Sequence, residues 1–303
     1  MEKLRVTAKQ LKKLSYDLLV AMGISPEDAE YGANTLNQAD LRGIDTHGVG
    51  RIQSYANMIA HGKINLKAEL KPIVEKDSLL YLDAQNGLGI IMAARAMEMT
   101  IAKAKKSGVC VTSIVNSGHW GISGHYANEA AKAGCMCISV SNSGPAMVPY
   151  NGCERILGNS PVSFSFPGGK KYNYPIMFDI ACTTVAGGKL EMALRNGEEI
   201  PYGWVVDENG QDTHDPRKFF MDGCGLTSFG GHKGYVLSVL LEIMSGILPG
   251  AAYGNAIGTR VSRIFPGDPP GLKENVGHLF IVVDIGQFRP IDDIQNDLDE
   301  YLD

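Results

Sequence analysis

The stretch DLRGIDTHGVGRIQSY, residues 40–55, carries a histidine and an arginine at a spacing that suits acid–base chemistry on an anion. His47 lies in a glycine-rich segment that builds little hydrophobic core, so its side chain can be directed at a ligand. Apolar positions at helical spacing, Tyr55 among them, resume directly afterwards and place Arg51 in the first turn of a helix. A solvated loop histidine is the alternative that this stretch leaves open.

Two further segments combine glycine-rich turns with polar side chains. In NSGHWGISGHY, His119 follows the predicted strand VCVTSIV, and loops after strands are where α/β proteins bind ligands. A buried structural histidine is the alternative there. In SFGGHKGY, Lys233 stands at the start of a predicted helix, where a lysine and backbone N–H groups favour an anion such as a phosphate.

Several familiar chemistries are excluded by missing residues. Gly87 and Gly89 lie between a strand and a helix, but Met92 replaces the third small residue of a Rossmann fingerprint, and the next strand lacks the acidic residue. We therefore reject a Rossmann site. The seven histidines are scattered and no H-E-x-x-H occurs, so we predict no metal site. A G-x-S-x-G nucleophile elbow is also missing from the sequence.

Composition indicates a protein with a small-molecule partner. The 303 residues are 44% hydrophobic, with a formal net charge of −5 and no run of lysine or arginine, which argues against nucleic acid and anionic membranes. The sequence shows neither a signal-peptide core nor a bilayer-length apolar run. The six cysteines form no C-x-x-C pair, so we expect free thiols in the reducing cytoplasm.

The predicted elements describe an α/β protein with an N-terminal helical arm. The arm spans residues 1–62, with helices capped at Thr7 and at Ser25, where Pro26 follows. From Leu79, strands alternate with helices, and later strands have short links that favour antiparallel pairing. Helices are expected over 89–106, 123–133, 184–196 and 234–248, and strands over 78–84, 109–115, 135–141, 162–166, 175–180, 204–207 and 279–285.

A mixed sheet follows for the core, residues 63–286. We expect the last helices of the core to pack apolar faces against this sheet. For the helix over 234–248, the predicted face comprises Val236, Val239, Leu240, Ile243 and Ile247. The closing segment, 287–303, is expected to form a helix that packs back on the N-terminal arm, which would lie on the substrate and dimer side.

Six blocks in this order and spacing resemble the malate/L-lactate dehydrogenase family of the second type, which is distinct from the Rossmann enzymes. They are ADLRGIDTHGVGRIQSY, NSGHWGISGHYANEAAKAG, SNSGPAMVPYNGCERILGNSPVSFSFP, PIMFDIACTTVAGGKLEMA, IPYGWVVDENGQDTHDP and FGGHKGYVLSVLLEIMSGIL. The resemblance implies a homodimer with a three-layer α/β fold and a mixed, largely antiparallel NAD(P)-binding sheet. It also implies hydride transfer between nicotinamide, in NAD or NADP, and C2 of a small 2-hydroxy or 2-oxo acid.

The resemblance also assigns roles to single residues. His47 matches the catalytic histidine, Thr46 its hydroxyl neighbour and Asp179 the carboxylate that orients the imidazole. Arg51 matches the group that binds the substrate carboxylate, and His119 matches a second histidine that is the base in some members. We favour His47 as the base because Asp179 would support it, with His119 as the alternative. The positions that match cofactor contacts are Ser143, Met177, Phe178, Asp179, Lys233 and His119.

Departures from the family pattern leave the substrate open. Asn159 stands where the family commonly has a substrate-contacting threonine, and family members usually continue past position 303 with a segment that helps cover the cofactor. Malate and L-lactate are the first candidates. The alternatives are ureidoglycolate, a diketo acid or a cyclic imine within the family, and a non-catalytic nucleotide-binding protein outside it.

Overall fold

The computed structural model describes residues 5–257 and 274–303. Its helices are α1 Ala8–Ala21, α2 Pro26–Leu41, α3 Ile52–Ala60, α4 Gly89–Ser107, α5 Ser123–Lys132, α6 Gly187–Asn196, α7 Pro216–Met221, α8 His232–Glu242 and α9 Ile291–Leu302. Its strands are β1 Lys71–Lys76, β2 Leu79–Asp83, β3 Val109–Ser117, β4 Cys135–Ser141, β5 Val162–Phe166, β6 Ile176–Ile180, β7 Val205–Val206, β8 Asp212–Thr213, β9 Gly225–Leu226 and β10 Val276–Asp284.

The main sheet has seven strands in the order β1-β2-β3-β10-β4-β5-β6. Only β2 and β3 run parallel; every other neighbouring pair in the sheet is antiparallel. A small sheet, β8-β7-β9, lies apart from it, and the turn over residues 207–210 joins β7 and β8 as an antiparallel pair. The mixed, largely antiparallel sheet that the sequence predicts is confirmed.

Helices cover both faces of the main sheet and make three layers. On one face, α4 packs on β3 and β10, and α5 packs on β4 and β5. On the other face, α8 and the π-helical turn Ile243–Ile247 pack on β4 and β10. Side chains alternate along β4 accordingly: Cys135 and Cys137 belong to the large core under α4, whereas Val140 belongs to a second core that includes Leu241.

The N-terminal arm forms as its capping residues predict. Thr7 and Gln10 make a capping box at α1, and the Ser25 hydroxyl accepts the Asp28 N–H at the start of α2. The helices approach closely because Gly32 lacks a side chain: a Cβ there would lie 2.8 Å from Cδ1 of Leu19. The arm is thus a rigid support for the residues that follow α2.

The predicted packing of α8 is wrong. Val236, Leu240, Ile243 and Ile247 are 43–53% exposed, and the buried residues of the helix are Gly234, Ser238, Leu241 and Glu242. Ser238 donates a hydrogen bond to the Ser160 hydroxyl at 2.8 Å, and neighbouring Gly234 packs directly on the backbone of the preceding loop. The small residues let the helix approach the neighbouring loops closely, and the buried side therefore combines them with Leu241.

The C-terminal helix α9 contacts a loop of the core, whereas we expected it to pack on the N-terminal arm. Asp299 in α9 accepts hydrogen bonds from the backbone N–H groups of Lys170, Lys171 and Tyr172 at 2.7–3.1 Å. A carboxylate facing three consecutive N–H groups fixes this helix beside the loop between β5 and β6. Among the helices of the described residues, none combines the length and apolar character that crossing a bilayer requires.

Candidate active site

A cavity of about 500 Å³ lies where the N-terminal arm meets the ends of β3, β4 and β6. Its volume falls within the usual range for small-molecule sites. The predicted site residues that line it are Thr46, His47, Arg51, His119, Ser143, Asn159 and Asp179. The fold therefore brings together residues that are far apart in the sequence, and both histidines and the arginine face one space.

The turn that carries His47 is held by a carboxylate from the helix before it. After α2 the chain makes two short 3-10 turns, Asp45–His47 and Val49–Arg51, and Oδ2 of Asp40 accepts the Val49 N–H at 2.9 Å. A Cβ on Gly48 would lie 1.8 Å from Oδ1 of Asp40, so glycine is needed for this approach. Burial raises the pKa of Asp40, and the hydrogen bond from Val49 opposes that shift.

Arg51 and Thr46 close the same turn from the other side. Nε of Arg51 donates to the carbonyl oxygen of Thr46 at 2.6 Å, which orients the guanidinium at the cavity wall. The Thr46 hydroxyl lies 2.8 Å from Nδ1 of His47. The imidazole and the guanidinium are thus positioned by one short segment.

We expected Asp179 to contact the imidazole of His47, but Nδ1 of His47 has a different partner. That nitrogen pairs with the Thr46 hydroxyl, and Oδ2 of Asp179 accepts the Gly124 N–H at 2.8 Å. The unpaired N–H groups at the start of α5 attract a carboxylate, which explains this preference. Burial raises the pKa of Asp179, while the Gly124 N–H and the charge of Arg42 act in the opposite direction.

His119 is held on two sides by buried groups. Its Nδ1 lies 2.9 Å from the hydroxyl of Tyr55, which is 1% exposed, and its backbone N–H donates to Oε2 of Glu274 at 2.8 Å. The imidazole stacks on that of His47, with ring centroids 5.4 Å apart. His119 therefore has a defined ring orientation between the core and the cavity.

A buried histidine supports the loops next to this pair. Nδ1 of His278 shares a hydrogen bond with the Ser141 hydroxyl, and Nε2 shares one with the Ser117 hydroxyl, both at 2.8 Å. The ring also stacks on Trp120, with ring centroids 4.3 Å apart. Burial lowers the pKa of His278 to about 3, so the ring is neutral near neutral pH. It ties the ends of β3 and β4 together beneath the cavity wall.

Polar groups of the loops after β4 and before β5 also line the cavity. The Ser143 hydroxyl donates to Oδ1 of Asn159 at 2.7 Å and accepts the Asn159 N–H at 3.1 Å. A Cβ on Gly158 would lie 2.3 Å from the Ser143 carbonyl oxygen, so the two loops pack backbone to backbone. Gly144 borders open space in the cavity. These hydroxyl and amide groups match a carboxamide or a ribose.

Three predicted cofactor contacts lie outside the cavity lining. Phe178 points away from Asp179 along β6, is 47% exposed and stacks on Phe164. Met177 shares the side of Asp179 but contacts Arg42, whose Nη1 lies 3.5 Å from its sulfur. Lys233 is exposed in the first turn of α8. Their roles toward a cofactor stay predictions.

Sequence reasoning missed several residues of this site. Tyr55 follows Arg51 by one helical turn, and its apolar spacing assigned it to the core, where its ring does lie. Asp40 and Trp120 carried no motif, and Glu191 in α6 also lines the cavity. The spacing of Tyr55 to Arg51 on one helix face was the only available signal.

Comparison with known proteins decides the family. Residues 6–303 match the family model described as malate/L-lactate dehydrogenase. The chain belongs to this family. A malate dehydrogenase from Pyrococcus abyssi is 36% identical over 304 residues, which cover 98% of this chain and 81% of that protein. An L-sulfolactate dehydrogenase from Methanocaldococcus jannaschii is 36% identical, over 96% of this chain and 81% of that protein.

Solved structures of malate/L-lactate dehydrogenases share the fold described above. The malate dehydrogenase from Entamoeba histolytica matches with a TM-score of 0.90 and 31% identity, over 98% of this chain and 84% of that chain. Further relatives include a ureidoglycolate dehydrogenase named for NAD⁺ and a sulfolactate dehydrogenase named for NADP⁺. The family resemblance predicted from the sequence is confirmed, and it covers nearly the whole chain.

Proposed function

We propose that this protein transfers a hydride between C2 of a small 2-hydroxy acid and the nicotinamide of NAD or NADP. The observation that carries the proposal is the convergence of His47, His119 and Arg51 on one cavity. Relatives named for malate, sulfolactate and ureidoglycolate act on acids of this class. Malate is the first candidate and L-lactate the second, with ureidoglycolate, diketo acids and cyclic imines as alternatives.

The wall formed by Ser143, Gly144 and Asn159 would hold the nicotinamide end of the cofactor, and Asp179 stands at the same cavity. When bound, the cofactor supplies the carbon that accepts the hydride. Lys233, exposed at the start of α8, would meet a phosphate outside the cavity. The remaining roles in the proposed reaction are assigned to side chains of this chain.

Alcohol oxidation requires a base within hydrogen-bond reach of the substrate hydroxyl. We expected His47 to act as this base because of Asp179, but that carboxylate faces Gly124. We propose His119 as this base, because the buried Tyr55 hydroxyl contacts its Nδ1 and the imidazole lines the cavity, where the substrate hydroxyl would meet Nε2. The substrate hydroxyl proton moves to Nε2 of His119 as the C–H bond breaks, and it returns from there in the reverse reaction.

Arg51 binds the carboxylate beside C2. A guanidinium grips a carboxylate through two parallel hydrogen bonds, which fixes which face of C2 is presented. Nε of Arg51 is bonded to Thr46, so the guanidinium is already oriented before the acid arrives. His47 stacks on His119 and lines the same cavity, so we propose that it hydrogen-bonds the same substrate oxygen.

An absorbance assay of nicotinamide reduction tests the proposal. The purified protein is mixed with NAD⁺ or NADP⁺ and a panel of malate, L-lactate, sulfolactate and ureidoglycolate, and the reverse reaction is run with 2-oxo acids and a cyclic imine. We expect turnover with at least one 2-hydroxy acid and loss of it in Arg51→Ala. Cofactor binding without turnover of any member of the panel would contradict the proposal and favour a non-catalytic nucleotide-binding protein.

We also propose that the protein is a homodimer, as the resemblance implies. The row Val236, Leu240, Ile243 and Ile247 exposes apolar side chains on α8 and the π-helical turn, and a second copy would cover it. Light scattering coupled to gel filtration should give twice the 32.6 kDa chain mass. Leu240→Glu should shift the protein to the monomer, whereas Tyr301→Glu, at an exposed position of α9, should not.

A further inference from the structure

We infer that Tyr55 is a positioning residue that selects the imidazole tautomer of His119. This inference rests on the proposed function, since it concerns the group to which that function assigns the substrate proton. The phenol oxygen lies 2.9 Å from Nδ1 of His119, and the Tyr55 side chain is 1% exposed. The tyrosine comes from α3 and the histidine from the loop after β3.

Burial makes the position of this hydroxyl unusually well defined. The Tyr55 ring belongs to the large core, where Ile52 and Met58 of the same helix are also buried. A packed aromatic ring has little rotamer freedom, so its hydroxyl cannot follow the imidazole if the imidazole turns. The ring orientation of His119 is therefore imposed by the core, and through its backbone N–H by Glu274.

The proposed reaction requires one of the two tautomers that a phenol hydroxyl can meet at Nδ1. A neutral imidazole has one N–H donor and one lone-pair nitrogen, and a base needs the lone pair on the nitrogen that faces the substrate. If the Nδ1–H of His119 donates to the phenol oxygen, Nε2 carries that lone pair. After Nε2 takes the substrate proton, Nδ1–H still donates to the same oxygen. Tyr55 keeps its own proton throughout, so one hydrogen bond supports both protonation states of His119.

The groups around His119 are compatible with this role. His47 stacks on one side, and a second cavity of only about 10 Å³ behind the ring is lined by Tyr55, Lys63 and Glu274 together with His119. The buried ammonium of Lys63 and the buried carboxylate of Glu274 face this small space. The tyrosine hydroxyl is the group that meets the imidazole nitrogen itself.

Helix α3 therefore positions both the group proposed to bind the carboxylate and the hydroxyl that contacts His119. Arg51 caps α3 and Tyr55 follows one turn later, so the carboxylate anchor and the orienting hydroxyl move together with the helix. His119 lies in the loop after β3, so a displacement of α3 would shift the anchor and the orienting hydroxyl together relative to the base.

Tyr55→Phe tests the inference, with Tyr81→Phe as the matched control. Tyr81 is also a partly buried tyrosine, and its hydroxyl donates to the Pro249 carbonyl at 2.5 Å, away from the cavity. We expect kcat to fall about ten- to hundredfold in Tyr55→Phe, the size typical of lost partners behind a functional histidine, with little change in KM for the acid. Tyr81→Phe should retain the wild-type kcat.

Nitrogen NMR of histidine-labelled protein provides a readout that does not depend on turnover. In the wild type, above the ionisation of His119, we expect the proton on Nδ1 and the lone pair on Nε2; in Tyr55→Phe the Nε2–H tautomer should gain population. A wild-type His119 that is mainly the Nε2–H tautomer would overturn the inference, as would unchanged kcat in a folded Tyr55→Phe.

The two proposals fail in different ways. If the wild type oxidises no acid of the panel, the proposed function fails, and the NMR tautomer of His119 still decides the role of Tyr55. If the wild type is active and both kcat and the tautomer are unchanged in Tyr55→Phe, only the role of Tyr55 fails. Cofactor affinity, measured by fluorescence titration, should stay within about twofold in both tyrosine variants because neither hydroxyl lines the cofactor wall.

Discussion

The imidazoles of His47 and His119 stack with their centroids 5.4 Å apart and their planes inclined by 30°. The first histidine comes from the turn after α2 and the second from the loop after β3. At this distance a positive charge on one ring would repel a positive charge on the other. Arg51 lines the same cavity, and in the proposed function the three side chains bind an anionic substrate and its mobile proton.

Removing the imidazole of His119 should stop proton transfer. We expect His119→Gln to lower kcat by about 10²- to 10⁴-fold, the contribution usual for general acid–base catalysis. His47→Gln should lower it less and retain the ionisation in the pH profile of kcat/KM. Steady-state kinetics across pH checks this, with His61→Gln, at an exposed position, as the control. Loss of the ionisation in His47→Gln alone would reassign the base to His47.

Replacing the guanidinium of Arg51 by an ammonium group should weaken binding of the acid. Arg51→Lys keeps the charge but loses the second parallel hydrogen bond and the bond to the Thr46 carbonyl. We expect KM for the acid to rise by about ten- to a hundredfold, equivalent to about 1.4–2.7 kcal/mol, with the KM for the cofactor unchanged. Arg95→Lys, whose guanidinium pairs with Asp28 on the arm, should behave as wild type. An unchanged KM for the acid would remove Arg51 from this role.

A side chain at position 48 should displace the histidine turn. The Cβ of Gly48→Ala would lie 1.8 Å from Oδ1 of Asp40, which already accepts the Val49 N–H. We expect the free energy of unfolding to fall by about 1–3 kcal/mol and kcat/KM to fall at least about tenfold. In the double variant with Asp40→Ala the overlap is gone, so the two losses should not add. Additive losses in urea unfolding would show that the clash is not their cause.

Stability should fall in mild acid. Burial lowers the pKa of His278 to about 3 and that of His125 to about 4, both from 6.5. Below pH 6.5 these histidines are protonated in the unfolded chain but stay neutral in the folded protein. The stability that the neutral histidines contribute is therefore present above pH 6.5 and is lost as the pH falls. Each histidine should lower the free energy of unfolding by about 2 kcal/mol at about pH 5, relative to its value at neutral pH.

Urea unfolding at several pH values measures this effect. Nδ1 of His125 is buried and has no hydrogen-bond partner among the described residues, so His125→Leu should reduce the pH dependence by close to one proton. His61→Gln, at an exposed position, should retain the wild-type slope. If His125→Leu and the wild type lose stability equally between about pH 7 and pH 5, the buried histidine does not drive the loss.

Local signals predicted the elements whose limits are encoded by neighbouring residues. Thr7 and Ser25 cap their helices as expected, and the alternating pattern of β4 places Cys135 and Cys137 in one core. Strand β1 was not predicted, because nearly all of its residues, KPIVEK, are exposed at the edge of the sheet. In α8 the buried side combines Gly234 and Ser238 with Leu241, and hydrophobicity alone therefore identified the wrong face.

The identity of the site residues was more predictable than their partners. His47, Arg51 and His119 line one cavity as the family resemblance implies. Their hydrogen bonds depend on distant segments: Tyr55 is 64 residues from His119, and Gly124 is 55 residues from the carboxylate that it binds. Such pairs depend on how α3 and α5 pack in the tertiary structure, which residue spacing along the chain does not predict.

A crystal structure of the protein with NADH or NADPH and the inert 2-oxo acid analogue oxamate tests the central claim most directly. We predict that the oxamate carboxylate binds the guanidinium of Arg51 and that its C2 oxygen lies within hydrogen-bond reach of Nε2 of His119. The nicotinamide should lie against the wall that contains Ser143 and Asn159. An acid bound outside this cavity, or a nicotinamide remote from both histidines, would contradict the assignment.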